Sequence, residues 1–386
     1  MNTAALLLET LQLGADPDPE RLRAAWPGTA LGGLLELAAF EGCTLWLYQR
    51  LRGPGVLDAL PRAFARSLER AARREAAQNL RVDAEAETIL RRLESAGVPT
   101  ILIKGVARRA ASTLYPYSDA RATSDVDLLV PAADAPGVWQ SLAQAGYHAV
   151  SSQPSPEAAG QPHHLPPLLG PARVAVEIHT STSRLVRPEE AWRRSSGDAR
   201  VLRWSGLDVR VPAPTELLWH SVTHAAREHE LYEMGFRLRY FQDAAVILAA
   251  SDGIDWAEIG RRLESSEIDD RDTMLGWLAA AATLGGRTIP NALGRARSFN
   301  LEGSLRWRLG VFRWGGRWPR LAGHLLTEEI RTELGQPPAR AAAGASRLVR
   351  CRHGCAAASA RTGYRLWRAL QRGPASAGSI YRPAPA

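Results

Sequence analysis

Hydrophobic spacing changes character twice along this chain, from helical to alternating near residue 98 and back to helical near residue 215. Up to about residue 97, leucine-rich and alanine-rich runs are broken at Asp16-Pro17-Asp18-Pro19, at Pro27-Gly28 and at Gly53-Pro54-Gly55, which predicts short helices joined by turns. Asp83 is expected to cap a helix that puts Ile89, Leu90 and Leu93 on one face and stops at Gly97. Val98 to Ile103 then reads as a buried strand, residues 106 to 114 as a helix, and Tyr115 to Thr123 as a loop.

Alternation is clearest in two places. Val126, Leu128 and Val130 alternate with Asp125, Asp127 and Leu129, and Val174, Val176 and Ile178 alternate with Ala175, Glu177 and His179. Between them lie a helix over Ala135 to Ala145, a short strand over Tyr147 to Val150, and a Pro-rich and Ser-rich loop from Ser151 to Pro171. Val201 to Val211, centred on Ser205-Gly206, predicts a hairpin. The helical period holds from Thr215 to about Leu284, a Trp-rich and Arg-rich helical stretch continues to Gly335, and Pro337-Pro338 opens a low-complexity tail. The expected regions are an N-terminal helical region over 1–84, an α/β core with a mixed sheet over 85–212, a C-terminal helical bundle over 213–335 and a basic tail over 336–386.

Composition narrows the class. The length of 386 residues allows two or three domains. Apolar runs such as Leu275 to Leu284 are too short to span a bilayer, and Met1 to Leu13 carries no basic leader, so neither membrane insertion nor export is expected. Three cysteines, Cys43, Cys351 and Cys355, form no disulfide framework and suit a reducing compartment, with the cytoplasm as the default. Cys351-Arg352-His353-Gly354-Cys355 offers at most three ligands and is expected to be incidental rather than a zinc site. The net charge of +8 is local: after Glu333 there are nine arginines and no acid, so the rest of the chain is slightly acidic. The tail is the one route to nucleic acid, and a solvated arginine-rich end is the favoured reading.

Candidate chemistry gathers in the alternating region. Of 48 basic side chains, 47 are arginine and one is Lys104, placed where an apolar run ends in Lys104-Gly105. A lysine ammonium is a compact charge suited to a phosphate oxygen in a tight place. Gly105 at a strand-to-helix junction allows close approach of a phosphate to helix amides, and Arg121 can add positive charge. Asp125, Asp127 and Glu177 offer three carboxylates from strands, the donor set that hard divalent cations prefer. His179 is expected either to contact phosphate, to orient Glu177 or to serve the structure. His220 and His224, one helical turn apart, are expected to pack between regions. Asp243 is expected to form a structural ion pair, with Arg237 and Arg239 as its neighbours.

The segment Leu102-Ile103-Lys104-Gly105, Tyr115, Arg121, Ser124-Asp125-Val126-Asp127-Leu128-Leu129-Val130 and Val176-Glu177-Ile178-His179 resembles the uncharacterised nucleotidyltransferase-family proteins of the DNA polymerase β-type superfamily. A looser likeness runs through His163-His164-Leu165, Leu217-Leu218-Trp219-His220, His224 and Arg237 to Asp243. The resemblance implies a nucleotidyltransferase palm on a mixed β-sheet. It implies a two-metal Mg²⁺ site held by Asp125, Asp127 and Glu177, with Glu177 also helping to deprotonate an acceptor hydroxyl. Lys104, Gly105, Arg121, Ser124 and His179 would receive an NTP as co-substrate, and the acceptor is a small molecule, peptide or sugar left unidentified. The chain departs from the superfamily in having Gly105-Val106 where Gly-Gly or Gly-Ser is usual, so Lys104 or Arg121 is expected to replace the missing serine. Kinase-like phosphoryl transfer to a peptide or sugar, and a degenerate nucleotide-binding scaffold, are the competing readings.

Overall fold

A computed structural model describes residues 2–14, 16–25, 31–53, 56–112, 114–115, 117–150, 163–183, 186–225, 237–265, 271–294, 301–303 and 305. The expectations for Pro27-Gly28, Pro54-Gly55, most of the loop before residue 163, nearly all of the helical stretch after residue 294, and the tail with Cys351, His353 and Cys355 lie outside the described residues.

Among the described residues six helices precede the sheet: α1 (Thr3–Leu11), α2 (Pro19–Ala25), α3 (Leu31–Phe40), α4 (Thr44–Leu51), α5 (Val56–Ala59) and α6 (Arg62–Ser95). Asn2 caps α1 by accepting from the amides of Ala4 and Ala5, and Asp18 caps α2 by accepting from Glu20. Helix α6 begins far upstream of Asp83. No Pro or Gly interrupts its 34 residues, and Phe64, Leu68, Ala72, Val82, Ala86, Ile89 and Leu93 form a single buried stripe along it. Asp83 is therefore no cap: it sits within the helix and forms an ion pair with Arg109.

The sheet has the order β1-β2-β5-β4-β3, from β1 (Ile101–Leu102), β2 (Asp125–Leu129), β3 (His148–Ala149), β4 (Leu168–Leu169) and β5 (Ala175–His179). Strands β2 and β5 run parallel and the other pairings are antiparallel, so the expected mixed sheet is present. Helices α7 (Lys104–Ala110) and α8 (Ala135–Gln144) fall between the first strands. Helix α7 starts two residues earlier than its spacing predicts, which shortens β1. Two elements have no counterpart in the hydrophobic pattern: β4, inside a proline-rich run, and α9 (Pro188–Gly197), which opens on proline and two glutamates and ends on glycine. Strands β6 (Arg200–Trp204) and β7 (Leu207–Val211) form the expected hairpin. Its turn has φ of 50° at Ser205 and 77° at Gly206, the paired positive values that match hairpin twist.

Helices α10 (Pro214–Thr223), α11 (Leu238–Ala250), α12 (Trp256–Glu264) and α13 (Arg271–Leu284) follow. Phe241 on α11 packs on Trp277 of α13 with ring centroids 4.8 Å apart. Among the described residues the main apolar core runs from Ala4 to Leu305 and takes in Val126, Leu128, Val176 and Ile178 from the sheet, while Ile101, Ile103 and Leu129 form a small separate cluster with Trp192. Val126, Leu128, Val176 and Ile178 fill one sheet face, which leaves the polar partners of the alternation on the other. Among the described residues no helix is long and apolar enough to cross a membrane.

Candidate functional site

Strand register brings the acids together. In the parallel pair β2–β5, Asp127 lies opposite Glu177, and Leu129 lies opposite His179. Because side chains repeat every second residue, Asp125, Asp127, Glu177 and His179 all project from the face opposite the apolar one. The backbone of Ile103 donates to the Asp127 carbonyl at 3.2 Å, which fixes the start of α7 beside the same strand.

Lys104 takes the left-handed conformation, φ 52°, at the first turn of α7. Such a backbone costs a non-glycine residue about 1–2 kcal/mol. Its ammonium lies 2.9 Å from Asp127 Oδ1 and 3.3 Å from Glu177 Oε2. The Nε2–H of His179 donates to the same two oxygens, at 2.9 and 3.2 Å. Two carboxylate oxygens thus face two nitrogen donors in a place where Asp127 and His179 are almost wholly buried.

Gly105 is required by packing: a β-carbon there would stand 2.9 Å from Thr123 Cγ2 and 3.0 Å from its Oγ1. The glycine lets α7 press on the residues leading into β2. Its φ is not positive; the left-handed turn falls on Lys104 instead.

Burial raises Asp125 to about 6, helped by the negative charges of Asp127 and Glu177. Burial likewise raises Asp127 to about 6, against the pull of Lys104. Burial acts the same way on Glu177, but the hydrogen bond from His179 and the charge of Lys104 outweigh it and hold Glu177 well below the usual carboxylate range. The protein therefore keeps an ionised carboxylate beside two that resist ionisation, an arrangement that attracts positive charge.

The remaining expected residues are placed differently. Ser124 is exposed and its hydroxyl donates to Asp125 Oδ1 at 3.3 Å. Arg121 is buried and donates to Asp243 at 2.8 and 2.9 Å, so its guanidinium is committed to an ion pair rather than directed at a phosphate. Asp243 is in the expected structural pair, with Arg121 and, at 3.7 Å, Arg108 as its partners. Tyr115 lies beneath the Arg108 guanidinium, 4.6 Å from ring centre to charge. His163 and His164 stand against His179, with centroids 5.6 and 5.2 Å away, because the amide of Leu165 bonds to the Ile178 carbonyl. Burial, followed by the charge of His179, lowers His164 to about 4, and its Nδ1–H donates to the Leu165 carbonyl at 2.8 Å.

Three contributors are not apparent from sequence pattern. Asn79 on α6 accepts from the Thr123 amide at 2.9 Å and donates to the Arg121 carbonyl at 3.0 Å, which clamps the lead-in to β2. A buried asparagine on an apolar helix stripe is the one signal that could point to it. Arg239 bears on the charge of Asp125, and His224 on that of Asp127. The His220 and His224 rings, expected to serve packing, lie 6.3 Å apart, with His224 5.2 Å from the Tyr240 ring.

Asp127, Glu177 and His179 each offer one atom within 4.8 Å of the others. Two hard oxygens already grouped around an ammonium fit a divalent cation, and His179 Nε2 would join them as a ligand only on giving up the proton it donates to both.

Residues 28–282 match the family model described as uncharacterised nucleotidyltransferase. Comparison with the curated proteins gives no significant match. Among solved structures, the chain is similar to the antibiotic-resistance factor ANT(2'')-Ia at 11% identity and TM-score 0.31, over 52% of this chain and 86% of that one. It is similar also to an antigenic nucleotidyltransferase-like protein from Paracoccidioides brasiliensis at 18% identity and TM-score 0.34, over 55% and 94%.

Proposed function

The chain belongs to the uncharacterised nucleotidyltransferase family, and from that membership we propose that it transfers a nucleoside monophosphate from an NTP to an acceptor oxygen. The acceptor oxygen bonds to the α-phosphorus, the bond from that phosphorus to the β-bridging oxygen breaks, and pyrophosphate leaves with the electron pair. The observation that carries this reading is the pair Asp127 and Glu177, in register on parallel strands with both carboxylates turned to one cation.

Asp127 and Glu177 would hold Mg²⁺ or a similar ion, with Asp125 on the same face beside them. When bound, that ion supplies charge neutralisation and polarisation of the phosphate oxygens. The protein's own groups do the rest. Lys104, paired with the two acids, would donate from its ammonium to a phosphate oxygen. His179 orients both carboxylates through Nε2–H. Glu177, held ionised and low, is a weak proton acceptor, so its position favours the role of ligand over that of base. Gly105 lets the first turn of α7 press on Thr123, just ahead of the strand that carries Asp125 and Asp127. The free buried thiol of Cys43 fits the proposed cytoplasmic location.

The test is substitution of the buried acid. Asp127→Asn keeps shape and hydrogen-bonding capacity but removes the charge. Divalent-dependent NTP turnover should fall by roughly a thousandfold or more while the circular dichroism spectrum stays unchanged. Turnover equal to that of the parent protein would overturn the assignment.

A further inference from the structure

We propose that Lys104 is a tethered cation that occupies the metal-bridging position between Asp127 and Glu177, so that the site takes up free metal poorly and admits it together with nucleotide phosphate. This rests on the reading of those two acids as metal ligands.

The geometry is specific. The ammonium is within ion-pair distance of one oxygen from each acid, and those are the same oxygens that His179 contacts. A divalent ion bound by Asp127 Oδ1 and Glu177 Oε2 must take the place that Nζ holds, because two cations sharing one pair of oxygens at contact distance repel strongly in a buried setting. Lys104 is only 15% exposed at its side chain, so its charge is little screened. It is also the one position in the lead of α7 that adopts a left-handed backbone, and that conformation places a four-carbon stem at the strand end beside Asp127.

The competitor can be displaced by an anion. A triphosphate entering with its own metal brings oxygens that can accept from the ammonium, so the lysine exchanges carboxylate oxygens for phosphate oxygens while the metal takes the carboxylates. The acids exchange a single positive charge for a double one, and the lysine is never left unpaired. A lysine suits this exchange better than an arginine, since the planar fork of a guanidinium binds carboxylate through two parallel bonds and is harder to release. That gives a physical reason for the single lysine in a chain that otherwise uses arginine 47 times.

The experiment is calorimetric titration of the full chain with Mn²⁺ alone, near neutral pH and without nucleotide, for the parent protein, Lys104→Met, Lys104→Arg and Asp127→Asn, each checked for native circular dichroism. Lys104→Met should bind Mn²⁺ at least about tenfold more tightly than the parent, and Lys104→Arg should bind as weakly as the parent or more weakly. Equal or weaker binding by Lys104→Met, with binding lost in Asp127→Asn, would overturn the tethered-cation proposal and leave the metal site standing. Binding unchanged in Asp127→Asn would instead overturn the metal-site reading on which the proposal rests. Equal tightening in the Met and Arg variants would show that bulk or backbone relief, and not charge, governs the site, and would overturn the proposal as well.

Discussion

Arg121 and Asp243, 122 positions apart, are joined through a single guanidinium nitrogen: Nε–H is shared between Oδ1 at 2.8 Å and Oδ2 at 2.9 Å. Both side chains are buried, and the bond ties the loop before β2 to α11. Removing one partner strands the other charge in a medium that solvates it poorly. Arg121→Met and Asp243→Asn should each cost about 3–5 kcal/mol of unfolding free energy. Because Arg108 also approaches Asp243, the double variant should lose less than the sum of the two. Urea denaturation measures all three. An Arg121→Met protein of unchanged stability and lost NTP binding would return Arg121 to the phosphate role expected from the sequence.

The contrast between Arg121 and Asp127 shows what local pattern reveals. Asp125, Asp127, Glu177 and His179 are legible because strand alternation is a rule over neighbouring residues: once Val126, Leu128, Val176 and Ile178 face the core, the acids have one face left. That β2 and β5 are adjacent and in register is not contained in either pattern; the resemblance implies it. The partner of Arg121 lies on a helix far along the chain, and no periodicity links the two. Asn79 is hidden for the same reason. The start of α6 escapes a reading by pattern because its first turns are dense in arginine and glutamate, with an apolar stripe only one or two residues wide.

Gly105 allows a second check. The γ-methyl of Thr123 stands 2.9 Å from where an alanine β-carbon would fall, and Thr123 is buried, β-branched and so unable to turn aside cheaply. Gly105→Ala should destabilise the protein by about 1–3 kcal/mol through overpacking. Adding Thr123→Ala removes both close atoms and should restore most of the loss. Thermal unfolding decides: a Gly105→Ala protein as stable as the parent would mean that α7 is free to shift away from β2.

Asp125 leads to a dependence on pH. Its carboxyl is raised from the ordinary 3.8 to about 6 by burial and by the neighbouring acids, so the folded protein holds a proton that the unfolded chain releases. The stability contributed by this group is fully present below the ordinary value and is lost as pH rises through about 6. In metal-free buffer, Asp125→Asn should match the parent at the acid end of that window. It should become more stable than the parent as pH rises through the window, by on the order of 1–3 kcal/mol, and the difference should level off above it. Melting temperatures across the window, with chelator present, test this. A difference that stays constant with pH, or one of opposite sign, would refute it.

The central claim is that the acids on β2 and β5 direct attack at the α-phosphorus of an NTP, and it is tested most directly by the products formed when water stands in for the acceptor. The full chain is incubated with each NTP and Mg²⁺ or Mn²⁺, and the nucleotides are separated by chromatography. The account predicts slow formation of nucleoside monophosphate and pyrophosphate in equal amounts, absent from Asp127→Asn and from reactions with chelator. Nucleoside diphosphate and inorganic phosphate as the products, or monophosphate formed equally by Asp127→Asn, would contradict it.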